Sequence, residues 1–149
     1  MPVMGVTRFE RFFRVAAGLH VDKNDLKRYG EFVDQKLYDL LLMGQATAKA
    51  NGRDVIQPYD LPITKGLQEN IHRFRQIDEE VELAPLLERL AARPPLEVAV
   101  ADSTERRLPE IVGGLSVALA RALKLVYPDR KHPQTAEWQG IHDLFDLLL

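Results

Sequence analysis

Cysteine is absent, so neither a disulfide framework nor a thiolate metal site is available to this chain, and a cytoplasmic location is expected. No apolar run approaches the roughly 20 residues of a membrane-spanning helix, so no membrane partner is expected. Met1-Pro2-Val3-Met4-Gly5 passes straight into a charged amphipathic stretch, which reads as a start without a signal peptide. Histidine is sparse. His20, His72, His132 and His142 show neither the paired helical spacing of a metal motif nor an adjacent nucleophile, and are expected at the surface or in loops. Gly113-Gly114-Leu115-Ser116 lies within helical periodicity, not at a strand-to-helix elbow, and no glycine-rich phosphate loop follows a strand. No catalytic residue, metal, cofactor or small-molecule substrate is therefore expected.

What remains is ordinary globular material: 149 residues, 46% hydrophobic and 28% charged, enough for one domain over 1–149 or two small units that need each other. The net charge of -2 hides a gradient, with 12 basic and 9 acidic residues over 1–77 but 8 and 13 over 78–149. Attraction to phosphate must come from local patches, not from the whole molecule.

Thr7 is a plausible cap for a first helix, with Phe9, Phe12, Phe13 and Ala16 on one face, that ends at Gly18. After extended Leu19-His20-Val21, Asn24 or Asp25 can cap a long helix whose apolar face runs from Leu26 to Ala48 and which Asn51-Gly52 stops. Asp54 to Gln57 is extended, and a third helix is expected from about Leu61, with Pro62 in its first turn. Acidic Asp78-Glu79-Glu80-Val81-Glu82 forms a junction or continues that helix. Pro85 then opens a short helix stopped by Arg93-Pro94-Pro95, Leu96 to Val100 suits a strand, and Asp102 or Ser103 can cap a second long helix reaching Tyr127. Inside it, Pro109 implies a kink or a start near Leu108. Gly113-Gly114 is either a local break or a place where two long helices cross closely. Trp138 suits an anchor for the last helix, whose ending Leu144-Phe145-Asp146-Leu147-Leu148-Leu149 is too apolar for one narrow stripe.

Two stretches repeat this punctuation 77 positions apart: Arg53 with Asp60, and Arg130 with Glu137. Each places an arginine after a long helical segment and a carboxylate seven residues later, suited to a bidentate pair that locks the loop. The repeat suggests a duplicated helical unit with halves 1–77 and 78–149.

Short helix, strand-like loop, long helix, strand-like loop with arginine, short helix led by a carboxylate: this order resembles the histone fold, and in particular a bacterial family of fused, archaeal-histone-like proteins. The resemblance implies an all-α protein of two tandem histone folds paired in an intramolecular handshake, a pseudodimer. It further implies that the first loop of one half lies beside the second loop of the other. Lys23 would then approach Arg130, Lys131 and His132, while Arg106 and Arg107 would lie near Arg53. Arg8 and Arg11, beside the amides that start the first helix, complete the candidate phosphate contacts. The family's usual threonine two residues after the arginine is replaced by Val55 and His132. Two functions follow from the resemblance: nonspecific binding of duplex DNA, with a nucleoid location, or a protein-interaction module without DNA. Self-association through the last helix is a further expectation.

Overall fold

The computed structural model describes residues 4–149; the reading of Met1-Pro2-Val3 as leaderless lies outside them. Helices make up most of the described chain, and two short segments pair as a parallel ladder. Helix α1 (Val6–Ala17) is capped by Gly5, not Thr7, and ends as expected at Gly18. The φ of 65° at Gly18 lies in the left-handed region, which glycine enters without a Cβ penalty. Phe9, Phe12 and Phe13 are buried and belong to the core. The Phe13 ring lies 5.7 Å from Tyr29 and 5.8 Å from Trp138, so α1 holds the body and the last helix together.

Helix α2 (Lys23–Ala50) starts on a reciprocal cap, with the Asn24 N–H donating to Asp22 Oδ1 at 2.8 Å and the Asp22 N–H to Asp25 Oδ2 at 3.0 Å. The cap is therefore Asp22, with Asp25 as its partner, and not Asn24 or Asp25. Strand β1 (Val55–Ile56) pairs with β2 (Ala99–Val100) in parallel.

The third helix starts later than its sequence suggests. A single 3-10 turn, Pro58–Asp60, intervenes because Asp60 folds back to accept the Gln57 N–H at 2.8 Å. Pro62 then holds Leu61 extended (φ -72°, ψ 132°), and Thr64 caps α3 (Lys65–Gln76), its Oγ1 accepting the Leu67 N–H at 3.1 Å. The acidic junction is not helical. Helix α4 (Leu83–Ala91) carries Pro85 in its first turn instead of opening on it.

The expected second long helix is divided into a single turn, α5 (Asp102–Glu105), and α6 (Leu108–Val126). Ala101, not Asp102 or Ser103, precedes α5, while Pro109 occupies the first turn of α6, where its missing N–H costs no helical bond. Of the alternatives at Pro109, the structure has the start near Leu108. Gly113 and Gly114 mark a close crossing, but with α3 and not with α2. A Cβ on Gly113 would stand 2.2 Å from the Phe74 ring, and one on Gly114 would stand 2.5 Å from Ile71 Cγ1 and 3.0 Å from the Ile71 backbone nitrogen. Helix α6 is central, packing against α1, α2, α3, α4 and α7 (Thr135–Leu148). Tyr29 reaches it from α2: its hydroxyl lies 2.7 Å from Ser116 Oγ, which donates to the Val112 carbonyl, and burial pushes the Tyr29 pKa up to about 12. Trp138, fully buried, anchors α7.

Candidate interaction surfaces

The two arginine–carboxylate pairs both form. Arg53 grips Asp60 with both nitrogens of its fork, Nη2 to Oδ1 at 2.7 Å and Nη1 to Oδ2, and the Asp60 side chain is shielded from solvent. The Arg53 guanidinium, helped by the Gln57 N–H and opposed by burial, holds the Asp60 carboxyl below the usual carboxylate range. Arg130 meets Glu137 through one contact, Nε to Oε2 at 3.1 Å, and remains 61% exposed. Glu137 also accepts the Gln134 N–H at 2.7 Å, matching Asp60 on Gln57. Gln57 and Gln134 thus share the repeat offset, so the sequence carries a third element of the repeat beside the arginine and the carboxylate.

The loops approach in the expected pairing. At one end lies the β1–β2 ladder, where the Ala99 N–H donates to the Asp54 carbonyl and the Ala101 N–H to the Ile56 carbonyl, each at 3.1 Å. Thr104 Oγ1 donates to the same Ile56 carbonyl at 2.7 Å. At the other end one backbone bond joins the loops, from the His20 N–H to the Lys131 carbonyl at 2.6 Å. Here His132 Nε2 stands 3.4 Å from Asp25 and 3.7 Å from Asp22. These three side chains bring potential ligand atoms within 4.8 Å of one another. The two carboxylates already accept the backbone N–H groups that start α2, so the cluster serves as a helix cap with a histidine laid over it.

The cations singled out for phosphate contact fall into two sets. Arg8 Nε and Arg11 Nη1 both bind Glu79, at 2.9 and 2.5 Å, and Arg11 also donates to the Asp78 carbonyl; they tie α1 to the acidic junction. Arg107 binds Glu110, which also takes Arg75 at 2.7 Å, and Arg106 and Arg107 line a concavity shared with Glu79, Glu80 and Glu82. The β1–β2 end itself carries Asp54, Glu97, Asp102 and Glu105, while its arginine is held by Asp60 and Lys49 by Glu97. Lys23 and Lys131, at the opposite end, have no ion pair among the described residues.

The surface reading of His142 does not hold. Its ring packs 5.3 Å from Phe32 and 6.4 Å from Trp138, and its Nε2 is buried without a hydrogen-bond partner. Burial pushes its pKa down, against the carboxylates of Glu31, Asp146 and Asp143. The end of α7 is far from fully buried: Leu147 is 83% exposed and Leu148 74%. Between α7 and the ends of α1, α3 and α6 lies an apolar groove of about 830 Å³, which no local sequence pattern announced.

A family described as a domain of unknown function, DUF1931, matches residues 9–146. The chain belongs to this family. An uncharacterized Aquifex aeolicus (strain VF5) protein is 30% identical over 141 residues, covering 86% of the DUF1931 chain and 82% of that relative. A Thermus thermophilus protein of known crystal structure is 52% identical and superposes with a TM-score of 0.93 over 99% of both chains. The histone from Methanopyrus kandleri superposes with a TM-score of 0.61 over 91% of this chain and 90% of its own, at 12% identity, which shows the fold alone. The suspected bacterial, histone-like family is thus the right one, and the fold is histone-like and mainly helical with one small ladder. Among the described residues no helix is long and apolar enough to cross a membrane.

Proposed function

We propose that the chain is a histone-fold interaction module: residues 1–77 and 78–149 form two tandem halves paired in an intramolecular handshake, acting without catalysis in the cytoplasm. The halves are supported by the repeat of Gln57, Arg53 and Asp60 at Gln134, Arg130 and Glu137, and by the approach of each first loop to the opposite second loop. One observation favours a protein partner over DNA: α7 leaves Leu144, Leu147 and Leu148 in solvent at helical spacing, while Arg8, Arg11, Arg53 and Arg107 are engaged by carboxylates of their own chain. The partner this surface fits is a second copy, meeting α7 against α7 about a two-fold axis. Sedimentation velocity across a concentration series should show dimer, and Leu144→Glu with Leu147→Glu should return monomer with an unchanged helical spectrum. A wild type that stays monomeric at the highest concentration would reject self-association.

Nonspecific duplex binding is the second reading, carried by Lys23 and Lys131, with Arg130 and His132 beside them. Its measure is anisotropy of a labelled duplex at rising salt. Saturable binding that weakens steeply with salt and is lost in Lys23→Glu with Lys131→Glu would put it first.

A further inference from the structure

We infer that the apolar groove beside α7 is a binding site for a single-chain anionic amphiphile, a straight-chain fatty carboxylate. The inference goes beyond the module reading: the groove shares Leu148 with the exposed α7 surface, but Leu144 and Leu147 do not line it. Four helix ends meet there, and the space exists because small side chains sit where large ones would close it: Ala16 and Ala17 on α1, and Ala118 and Ala122, one turn apart, on α6. Its volume of about 830 Å³ lies in the range of roughly 300–1,000 Å³ usual for small-molecule sites.

Charge selects the ligand class. Among the described residues no aspartate or glutamate side chain lines the groove, whereas Arg121 and Lys124 both do; Glu69 beside the rim feels the charge of Arg121, which leaves Lys124 the freer cation. Arg121 Nη1 is oriented by Asn70 Oδ1 at 2.8 Å, and Lys124 has no ion pair among the described residues. An acyl chain would lie along the alanines and remove apolar wall from water, while its carboxylate met Lys124 and the remaining donors of Arg121. A neutral chain gains only the first of these, and a free phosphate only the second.

The test is calorimetric titration of the full chain with dodecanoate below its micellar concentration, beside dodecanol and anionic phosphatidylglycerol vesicles. One saturable dodecanoate per chain is expected, with dodecanol weaker, Lys124→Glu reducing affinity about tenfold, and Ala122→Trp abolishing binding by filling the groove. Ala118→Phe is the second filling variant should Ala122→Trp not fold, as judged by its helical spectrum. Absence of saturable binding, retention of binding by a folded groove-filled variant, or binding only to vesicles would each overturn the inference. So would a wild-type dimer that takes no dodecanoate and falls to monomer when the groove is filled, because the occupant is then a second copy.

Discussion

The two ends of the molecule are built from one sequence device and differ in how it is buried. At the β1–β2 end the arginine fork is bidentate, its carboxylate is sealed from water, and Ala99, Ala101 and Thr104 add bonds across the loops. At the His20–Lys131 end the arginine makes one contact, stays largely in solvent, and one backbone bond spans the loops. An identical spacing of arginine, glutamine and carboxylate therefore sets loop geometry, while what covers the pair decides how far it is buried. The sealed end carries Asp54, Glu97, Asp102 and Glu105 beside an exposed Arg106, and the open end carries Lys23 and Lys131 beside Asp22 and Asp25.

Removing the carboxylates should separate the ends most clearly. Asp60→Ala strands Arg53 and the Gln57 N–H together and should give the largest fall in Tm of the series, well beyond that of Glu137→Ala; equal falls would show the two latches to be equivalent. Next comes the pair of threonines. Thr104→Val, which removes the buried bond to Ile56, should cost about 1 kcal/mol in urea denaturation, whereas Thr135→Val, which removes the exposed bond from Arg28, should stay within about 0.5 kcal/mol.

Acid should lower stability in two steps. His142, on the helix that follows the open end, has a folded pKa below its ordinary value of 6.5, so the unfolded chain binds more protons than the fold and stability falls as pH drops below that value. Asp60 has a folded pKa below its ordinary value of 3.8, so its contribution is complete above 3.8 and is lost only as pH falls through the folded value. Stability measured against pH should therefore decline in two windows. His142→Leu should remove the first, and Asp60→Asn should shrink the second, which Asp60 shares with Glu69, Glu97 and Glu110, whose ion pairs also hold them below their ordinary value; an acid window unchanged by Asp60→Asn would contradict the assignment. The smallest effect concerns fluctuation alone: the His20 amide should exchange with solvent faster than the Ala99 and Ala101 amides in hydrogen-exchange measurements.

What the sequence disclosed was local. Gly18, Asn51-Gly52 and the Arg53–Asp60 spacing work within a few residues of themselves, and each did what its chemistry requires. The start of α3 lies beyond Leu61 because two local signals compete there, the Asp60 turn and the Pro62 restriction, and the helix waits until Thr64. Distant pairings were illegible. Glu79 lies 71 positions from Arg8 and 68 from Arg11, so nothing near those arginines shows that they are engaged. Gly113-Gly114 serves a close approach, but the neighbour is α3, which nothing near the glycines identifies. His142 looked like any polar position on α7 because burial is a property of what packs over a face, not of the face. The groove escaped for the same reason, since its alanines become a site only when four helix ends converge.

The glycine pair on α6 also bears on how this chain can be divided. Phe74 and Ile71 find their seat on backbone that arrives some forty positions later, across the acidic junction. A polypeptide cut after Ile77 would yield one fragment with two large apolar side chains and no seat for them, and another with an empty notch. Mixed, the pieces have a specific reason to reassemble, and a bulky residue at Gly114 would abolish that complementation. The junction is thus a natural place to split the chain as a reporter of its own assembly.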